Sequence, residues 1–198
     1  MSNWILTSLN VAGTEASRGG IGFTKSKFKD DDGIIDNSSE RKSFKFNISP
    51  KIGFFISNNF ALGLLSNYRH SKSRFKSGYG GGISTSTYGN YNIGPFLRYY
   101  IPTKRVLPFF EIGSSIGKSY EKYRSRSPYE ETEGKSSEFI ISAGIGMAVP
   151  LGEKVNFDIL LGYKKQATKL KENNDNNIRL VAHTIGLDLG FTILLGSN

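Results

Sequence analysis

The sequence predicts an all-β fold, an eight-stranded antiparallel up-and-down β-barrel built as a single domain over residues 1–198. Apolar residues recur with a period of two, and the helical spacing is nowhere sustained. The chain contains 23 glycines and 13% aromatic residues, but only 37% hydrophobic residues. Short turns alternate with long polar segments, which is the layout of a meander of antiparallel strands.

Eight segments carry the alternation, and most of them exceed the usual strand length of about 5 to 6 residues. They are Trp4 to Gly13, Ser43 to Ile56, Phe60 to Phe75, Thr87 to Ile101, Pro108 to Tyr120, Glu138 to Val149, Val155 to Lys165 and Ile178 to Leu195.

Each of the first four strands is justified by a run of apolar residues on one parity. In chain order these are Ile5, Leu9 and Val11, then Phe44, Ile48, Ile52 and Phe54, then Leu62, Leu64 and Tyr68, then Tyr91, Ile93, Leu97, Tyr99 and Ile101. The second and fourth strands also share a pattern, "NISPKIGFFI" and "NIGPFLRYYI". Because a proline cannot donate to the ladder, we expect a bulge or bend at Pro50 and Pro95.

The last four strands show the same alternation. Their apolar parities are Phe110, Ile112 and Ile116, then Phe139, Ile141, Ile145 and Met147, then Val155, Phe157, Ile159 and Leu161, then Val181, Ile185, Leu187, Leu189, Phe191, Ile193 and Leu195. The predicted short turns are "ISNNF", "IPTKRVLP" and "PLGEKV". The predicted long loops are Thr14 to Lys42, "KSGYGGGISTS", "RSRSPYEETEGKS" and "LKENNDNN".

The polar parity indicates which face lies inside. It consists of Gly, Ser and Asn with the isolated charges Arg98, Glu111, Asp158 and Asp188. Small residues with a few opposite charges suit the narrow interior of an eight-stranded barrel, so we expect these four to form a lumen network. The apolar parity would then face lipid. A soluble lipocalin-like carrier, with the Phe44, Ile48 and Ile52 parity inside, is the alternative.

Aromatic residues lie at the ends of the apolar face, as membrane interfaces select. We expect the following to lie at the lipid interface near the short turns: Trp4, Phe54, Tyr99, Phe110 and Phe157.

These patterns resemble the small eight-stranded outer-membrane barrels of Gram-negative bacteria, the group that contains the transmembrane domain of outer-membrane protein A and the Ail-type proteins. The resemblance covers the whole chain and rests on the strands "ISPKIGFF" and "IGPFLRYY". It implies a bacterial outer-membrane location with periplasmic termini and four extracellular loops, and a structural or adhesive role. It also implies recognition by the barrel-assembly machinery through "DLGFTILL", using Asp188, Gly190, Ile193 and Leu195, although the usual terminal aromatic residue is missing.

The formal net charge of +9 permits an anionic partner. Most basic residues fall near the long loops, where we expect a rim that contacts phosphates of lipopolysaccharide or an acidic glycan. This predicted rim comprises Arg69, Lys72, Arg74, Lys118, Lys122, Lys164 and Lys165. A host or environmental ligand at the loops is a further expected partner. Nucleic acid is not expected, because no recognition helix accompanies the charge.

Several other chemistries lack support in the sequence. The chain has no cysteine, and "MSNWILTSLN" lacks the features of a signal peptide. Neither "DDDG" nor "EETE" has the spacing of a calcium loop, and neither His70 nor His183 has a catalytic partner at a recognisable spacing. We therefore expect no cofactor, no metal and no enzymatic activity. A narrow channel and a lipid-acting barrel enzyme remain alternatives.

Overall fold

The computed structural model describes residues 5–12, 20–28, 39–77, 82–126, 129–170 and 179–195, the first two ranges as backbone. The described residues form nine strands: β1 (Ile5–Ala12), β2 (Gly20–Phe28), β3 (Ser39–Phe55), β4 (Phe60–Lys76), β5 (Ile83–Tyr100), β6 (Leu107–Arg126), β7 (Tyr129–Pro150), β8 (Val155–Leu170) and β9 (Arg179–Leu195).

All nine strands belong to one antiparallel sheet, in the order β1-β9-β8-β7-β6-β5-β4-β3-β2. Both β1 and β2 pair with β3, β1 with residues 49–54 and β2 with residues 39–47. They therefore follow one another along a single position of the sheet. β1 also pairs with β9, which closes the sheet into a ring through residues 5–12. The predicted eight-stranded antiparallel barrel is confirmed, with its first strand divided in two.

The outward face carries a continuous apolar band. Ile112 is 56% exposed and Ile52 is 57% exposed, although both are large aliphatic residues. Equivalent outward positions are occupied by Leu64, Ile93, Ile116, Ile141, Ile145, Leu161, Leu187 and Ile193. A surface this large and apolar requires a hydrocarbon environment. The exposure of Ile52 also contradicts the soluble-carrier alternative, which needs this parity inside.

The barrel interior near the short turns is filled with apolar side chains. The buried cluster consists of Ala61, Phe96, Tyr100, Phe109, Ala148 and Leu160. The ring of Phe109 occupies the space where a Cβ on Gly146 would lie, only 2.4 Å from the ring atom Cζ. Glycine on β7 thus lets a large aromatic residue from β6 fill the lumen. Packing of these side chains narrows this end of the barrel.

The strands are longer than the sequence pattern predicts. The segment "RSRSPYEETEGKS", predicted as a loop, forms the end of β6 and the start of β7, which pair residue by residue up to Arg126 and Tyr129. The predicted loop Thr14 to Lys42 contains β2 and the start of β3, and β5 begins at Ile83 rather than Thr87. Outside lipid both faces of a strand are polar, so these extensions lack the apolar alternation that identifies a strand in the sequence.

Of the bulge or bend expected at the two prolines, no bulge forms in the β3–β4 or β5–β6 pairing. The β3–β4 register is the same at Ile48↔Tyr68 and Lys51↔Leu65, on either side of Pro50. The β5–β6 register is likewise unchanged across Pro95. Pairing is simply interrupted at each proline, on the side where its missing N–H would have donated.

Within the described ranges, no helix is long and apolar enough to cross a membrane.

Placing a charge in the middle of the apolar band should destabilise the barrel. We expect Ile112→Arg to lower the free energy of unfolding by about 2 to 4 kcal/mol, because the guanidinium would lie in hydrocarbon. The outward-facing Thr87→Arg, in the polar extension, should cost less than about 1 kcal/mol. Urea unfolding in phospholipid vesicles measures both. Equal costs for the two variants would contradict the boundary drawn here between the lipid-facing band and the extension.

Candidate functional site: a sealed lumen and a basic outward-facing groove

A buried arginine crosses the lumen next to the apolar cluster. Arg98 of β5 is 2% exposed and reaches two acids on different strands. Its Nε and Nη2 donate to Oε2 of Glu111 at 2.9 and 2.7 Å, and its Nη1 donates to Oδ2 of Asp158 at 2.6 Å. Lys51 of β3 donates to the other carboxylate oxygen of Glu111. The four side chains therefore form one ionic layer contributed by β3, β5, β6 and β8.

Aromatic and hydroxyl groups complete this layer. The Arg98 guanidinium lies 4.1 Å from the centroid of the Phe109 ring and donates to the Tyr100 hydroxyl at 3.0 Å. The Thr192 hydroxyl donates to Asp158 Oδ2 at 2.7 Å. We call the set Lys51, Arg98, Tyr100, Glu111, Asp158 and Thr192 the seal. Buried charges are tolerable only when they are paired and hydrogen-bonded, and here every charge has an opposite partner.

A polar cavity of about 100 Å³ lies on the long-strand side of the seal. Among its lining residues is Glu138, whose carboxylate accepts hydrogen bonds from the Asn90 amide, from the Asn92 amide at 3.5 Å and from the Tyr88 hydroxyl at 3.5 Å. Glu138 reaches β5 across Gly117, where a Cβ would lie 2.1 Å from Asn92 Oδ1. The lumen is therefore polar above the seal.

The structure places all four predicted lumen residues inside the barrel. Arg98, Glu111 and Asp158 are in direct contact, and Asp188 is 2% exposed on the same inward parity. Reasoning from the sequence did not include Lys51, Tyr100, Thr192 and Glu138. All four lie on the polar parity of their strands or directly at its end, which was the signal available for each of them. Lys51 and Glu138 also carry a charge on that parity, whereas Tyr100 and Thr192 do not.

Two of the seven predicted rim residues lie elsewhere. Arg69 and Lys164 line the lumen cavity, because each follows the inward parity of its strand, in line with Asn67 on β4 and Gly162 on β8. The other five lie on the outward parity of their strands: Lys72, Arg74, Lys118, Lys122 and Lys165. The alternation in the sequence already separates these two groups.

The predicted interface aromatics lie on the outward face near the short turns. Phe54 and Phe110 are half exposed. Tyr99 packs against Phe60 with ring centroids 4.6 Å apart, and Phe157 packs against Phe191 at 5.5 Å. Trp4 lies outside the described residues, as does Asp30–Gly33.

The residues of the predicted insertion signal and the two histidines lie in ordinary strand positions. On β9, Gly190 and Asp188 face inward, whereas Ile193 and Leu195 face outward. His70 Nδ1 lies 3.5 Å from the Tyr120 hydroxyl, and His183 Nδ1 lies 2.6 Å from the Tyr163 hydroxyl. In the part of the chain that the structure describes, no three His, Asp or Glu side chains come together as a metal site.

A basic groove of about 300 Å³ lies on the outward face of β4, β5 and β6, beyond the apolar band. Its cations are Lys72, Arg74, Lys122, Arg124 and Arg126, and its floor is formed by Ile83, Thr85 and Thr87 of β5. Thr85 and Thr87 are shorter than the lysine and arginine side chains on either side, so the centre of the groove is low between two basic walls. Because neighbouring strands lie about 4.8 Å apart, the cations of β4 and β6 are separated by roughly 10 Å.

Acids of β7 border the groove on its β6 side. Two rows of cross-strand neighbours run from β4 to β7: Lys72, Thr87, Lys122 and Glu133, and Arg74, Thr85, Arg124 and Glu131. Glu131 accepts from Arg124 Nε at 2.8 Å and from Lys122 Nζ at 2.6 Å, and Lys122 also bonds Glu133. The bonds from Arg124 and then Lys122 lower the pKa of Glu131 to about 2.

Comparison with known proteins gives one family match. The family described as "Outer membrane protein beta-barrel domain" matches residues 7–192. No curated protein matches the chain.

Solved structures show similarity at low identity. The transport unit of the autotransporter AIDA-I from Escherichia coli is 15% identical with a TM-score of 0.48, covering 96% of this chain, which spans 64% of that unit's length. Neisserial surface protein A is 16% identical with a TM-score of 0.40, covering 96% of both chains. Ail of Yersinia pestis, in complex with the heparin analogue sucrose octasulfate, is 14% identical with a TM-score of 0.42, covering 98% of this chain and 100% of Ail.

Breaking the seal should open the lumen and weaken the fold. We expect Arg98→Met to lose about 3 to 5 kcal/mol of unfolding free energy, because Asp158 and Glu111 lose a buried partner. In planar bilayers the parent should carry no stable current, and the variant should carry measurable current. Arg105→Met, at an exposed turn position, should behave as the parent. Large stable currents through the parent would show that the seal does not close the lumen.

Glu131 should titrate far below an ordinary glutamate. Carboxyl NMR of the protein in micelles should give a midpoint near 2, and Arg124→Gln should move it upward toward the usual value near 4.5. Because the pKa is lowered in the folded state, the pairing stabilises the extension above about pH 4.5. That contribution is lost as the pH falls toward 2. An unshifted midpoint in the parent would contradict the pairing.

Proposed function

This chain belongs to the outer-membrane β-barrel family, and from that premise we propose that it is a sealed surface barrel whose extended wall binds clustered phosphate or sulfate groups. The observation that carries the proposal is the basic groove, with five cations around a floor of uncharged β5 residues. Family membership places the chain in the bacterial outer membrane. We further propose that its termini are periplasmic and that the long-strand end is extracellular.

The length of the strands supports a binding role for the wall. β6 has 20 residues, which is roughly 66 Å of strand at about 3.3 Å per residue, or about 50 Å of height at a tilt of about 40°. The lipid-facing band of such barrels is only about 25 Å tall. A wall of similar height is thus left outside the hydrocarbon, where its side chains meet headgroups and solvent.

The direction of the groove favours lipopolysaccharide as the source of the anions. Its cations lie on the outward parity, so they extend sideways from the wall into the layer next to the apolar band. The row Tyr68–Tyr91–Lys118 lies between this groove and the aliphatic band. Phosphates of lipid headgroups occupy this layer in an outer leaflet. Sulfated glycan from outside the cell is the second source of the same chemistry, and it would make the protein an adhesin.

The seal supports the non-porin part of the proposal. Arg98, Glu111 and Asp158 cross the lumen beside the apolar cluster, and the cavity above them measures only about 100 Å³. We therefore assign ligand binding to the wall and its loops, and we assign no conduction to the lumen. We likewise assign no catalytic role to the described residues, and assembly by the barrel-assembly machinery through Asp188, Gly190, Ile193 and Leu195 is proposed as well.

Removing the unpaired cations of the groove should weaken anion binding. We expect Lys72→Gln/Arg74→Gln to lower the affinity for rough lipopolysaccharide about 10-fold at low salt, because two charge-assisted contacts are lost. Lys104→Gln/Arg105→Gln, in the exposed short turn between β5 and β6, removes the same charge away from the groove; this matched control should lose less than about 2-fold. Protein in zwitterionic nanodiscs, titrated with intact or dephosphorylated lipopolysaccharide, gives the measurement.

A parallel titration with a heparin-derived hexasaccharide distinguishes the two sources. Tight binding of lipopolysaccharide alone supports the headgroup role, and tight binding of the hexasaccharide supports attachment. If the parent binds neither, or if both double variants lose affinity equally, the groove is not the binding site.

A further inference from the structure

The two walls of the basic groove differ in their charge balance. On β4, Lys72 and Arg74 have no acidic partner among the described residues, and neither does Arg126 at the end of β6. On β6, Lys122 and Arg124 are both bonded to acids of β7. The two groove cations of β4 and Arg126 are thus unpaired within the described part of the chain, whereas Lys122 and Arg124 are neutralised by β7.

The β7 acids lie where an anionic ligand would otherwise bind. Glu131 holds Arg124 through both carboxylate oxygens, at 2.8 and 3.2 Å, while Lys122 lies 2.6 Å from the same carboxylate. This is the two-pronged geometry by which arginine binds phosphate or sulfate. Tyr129 donates a hydrogen bond to Glu131 at 3.3 Å, which helps to keep the carboxylate in place.

We propose that Glu131 and Glu133 act as a built-in competitor, which restricts the groove to ligands carrying two or more anionic groups about 10 Å apart. This inference rests on the proposed function of the groove. A ligand with one anionic group binds Lys72 and Arg74 and leaves Lys122 and Arg124 paired with the β7 acids. A ligand with several groups binds the β4 wall first and then displaces the carboxylates from Lys122 and Arg124. The acids therefore set the specificity of the site without touching the ligand.

The cross-strand register explains why the competitor lies on β7. Glu133 is the direct neighbour of Lys122, and Glu131 is the direct neighbour of Arg124. On the β4 side the corresponding neighbours of Lys72 and Arg74 on β3 are Phe44 and Lys42. Neither can compete for a cation. Opposite charges directly across a strand pair attract, so the asymmetry follows from the order of residues along β3 and β7.

The test compares a ligand with one charged group and a ligand with several on the same variants. Protein in zwitterionic nanodiscs is titrated with glucose 6-sulfate and with a heparin-derived hexasaccharide at several salt concentrations. Glu131→Gln/Glu133→Gln removes the competitor. Glu130→Gln is the matched control, because Glu130 lies next to Glu131 on the opposite, inward parity of β7. All these positions are exposed, and a shift on unboiled electrophoresis shows that each variant is folded.

We expect the double variant to bind the hexasaccharide about 3- to 10-fold more tightly than the parent, with a steeper salt dependence. Glucose 6-sulfate should bind the double variant measurably. The ratio of the affinities for the hexasaccharide and for glucose 6-sulfate should therefore be smaller than in the parent. Glu130→Gln should leave both affinities unchanged. If the parent binds the hexasaccharide but the double variant binds it equally or more weakly, the competitor is refuted and the groove stands. If neither protein binds, the proposed function fails as well.

Discussion

The structure depends on the requirement that every backbone N–H and C=O in hydrocarbon be paired within the protein. β1 satisfies it by pairing with β9 on one side and with β3 on the other. Once the ring is closed, the alternation of side chains assigns one parity to lipid and the other to a narrow lumen. The same alternation that places Ile112 in lipid places Glu111 inside, so the ionic seal is a direct consequence of closure.

The lumen and the wall handle charge differently because their surroundings differ. Inside, Arg98 is out of contact with water and has two acidic partners and an aromatic ring, since an uncompensated charge there would be costly. On the wall, solvent screens each pair, so exposed ion pairs contribute little to stability and are available for exchange with a ligand. The ion pairs that close the lumen and the ion pairs that border the groove therefore have different roles, although both join arginine to glutamate.

Most of the barrel could be predicted from the sequence, because lipid imposes a strong apolar alternation on the strands inside it. The lumen charges Arg98, Glu111 and Asp158 could be predicted for the same reason, since each interrupts a polar parity of small residues. The strand extensions could not, because "RSRSPYEETEGKS" is polar on both faces. Without those extensions Lys72 lies near the end of one predicted strand, whereas Lys122 and Glu131 fall outside the predicted strands. Only the β4–β7 register brings them into one groove.

The central claim is that one continuous wall begins in lipid and ends in water, and the absence of cysteine makes it directly measurable. Single cysteines placed along the outward parity of β5 and β6 can be reacted with a membrane-impermeant maleimide in reconstituted vesicles. The account predicts protection at Ile93, Ile112 and Ile116 and full reaction at Thr85, Thr87 and Arg126. Reaction at Ile112, or protection that continues to Thr85 and Arg126, would contradict it.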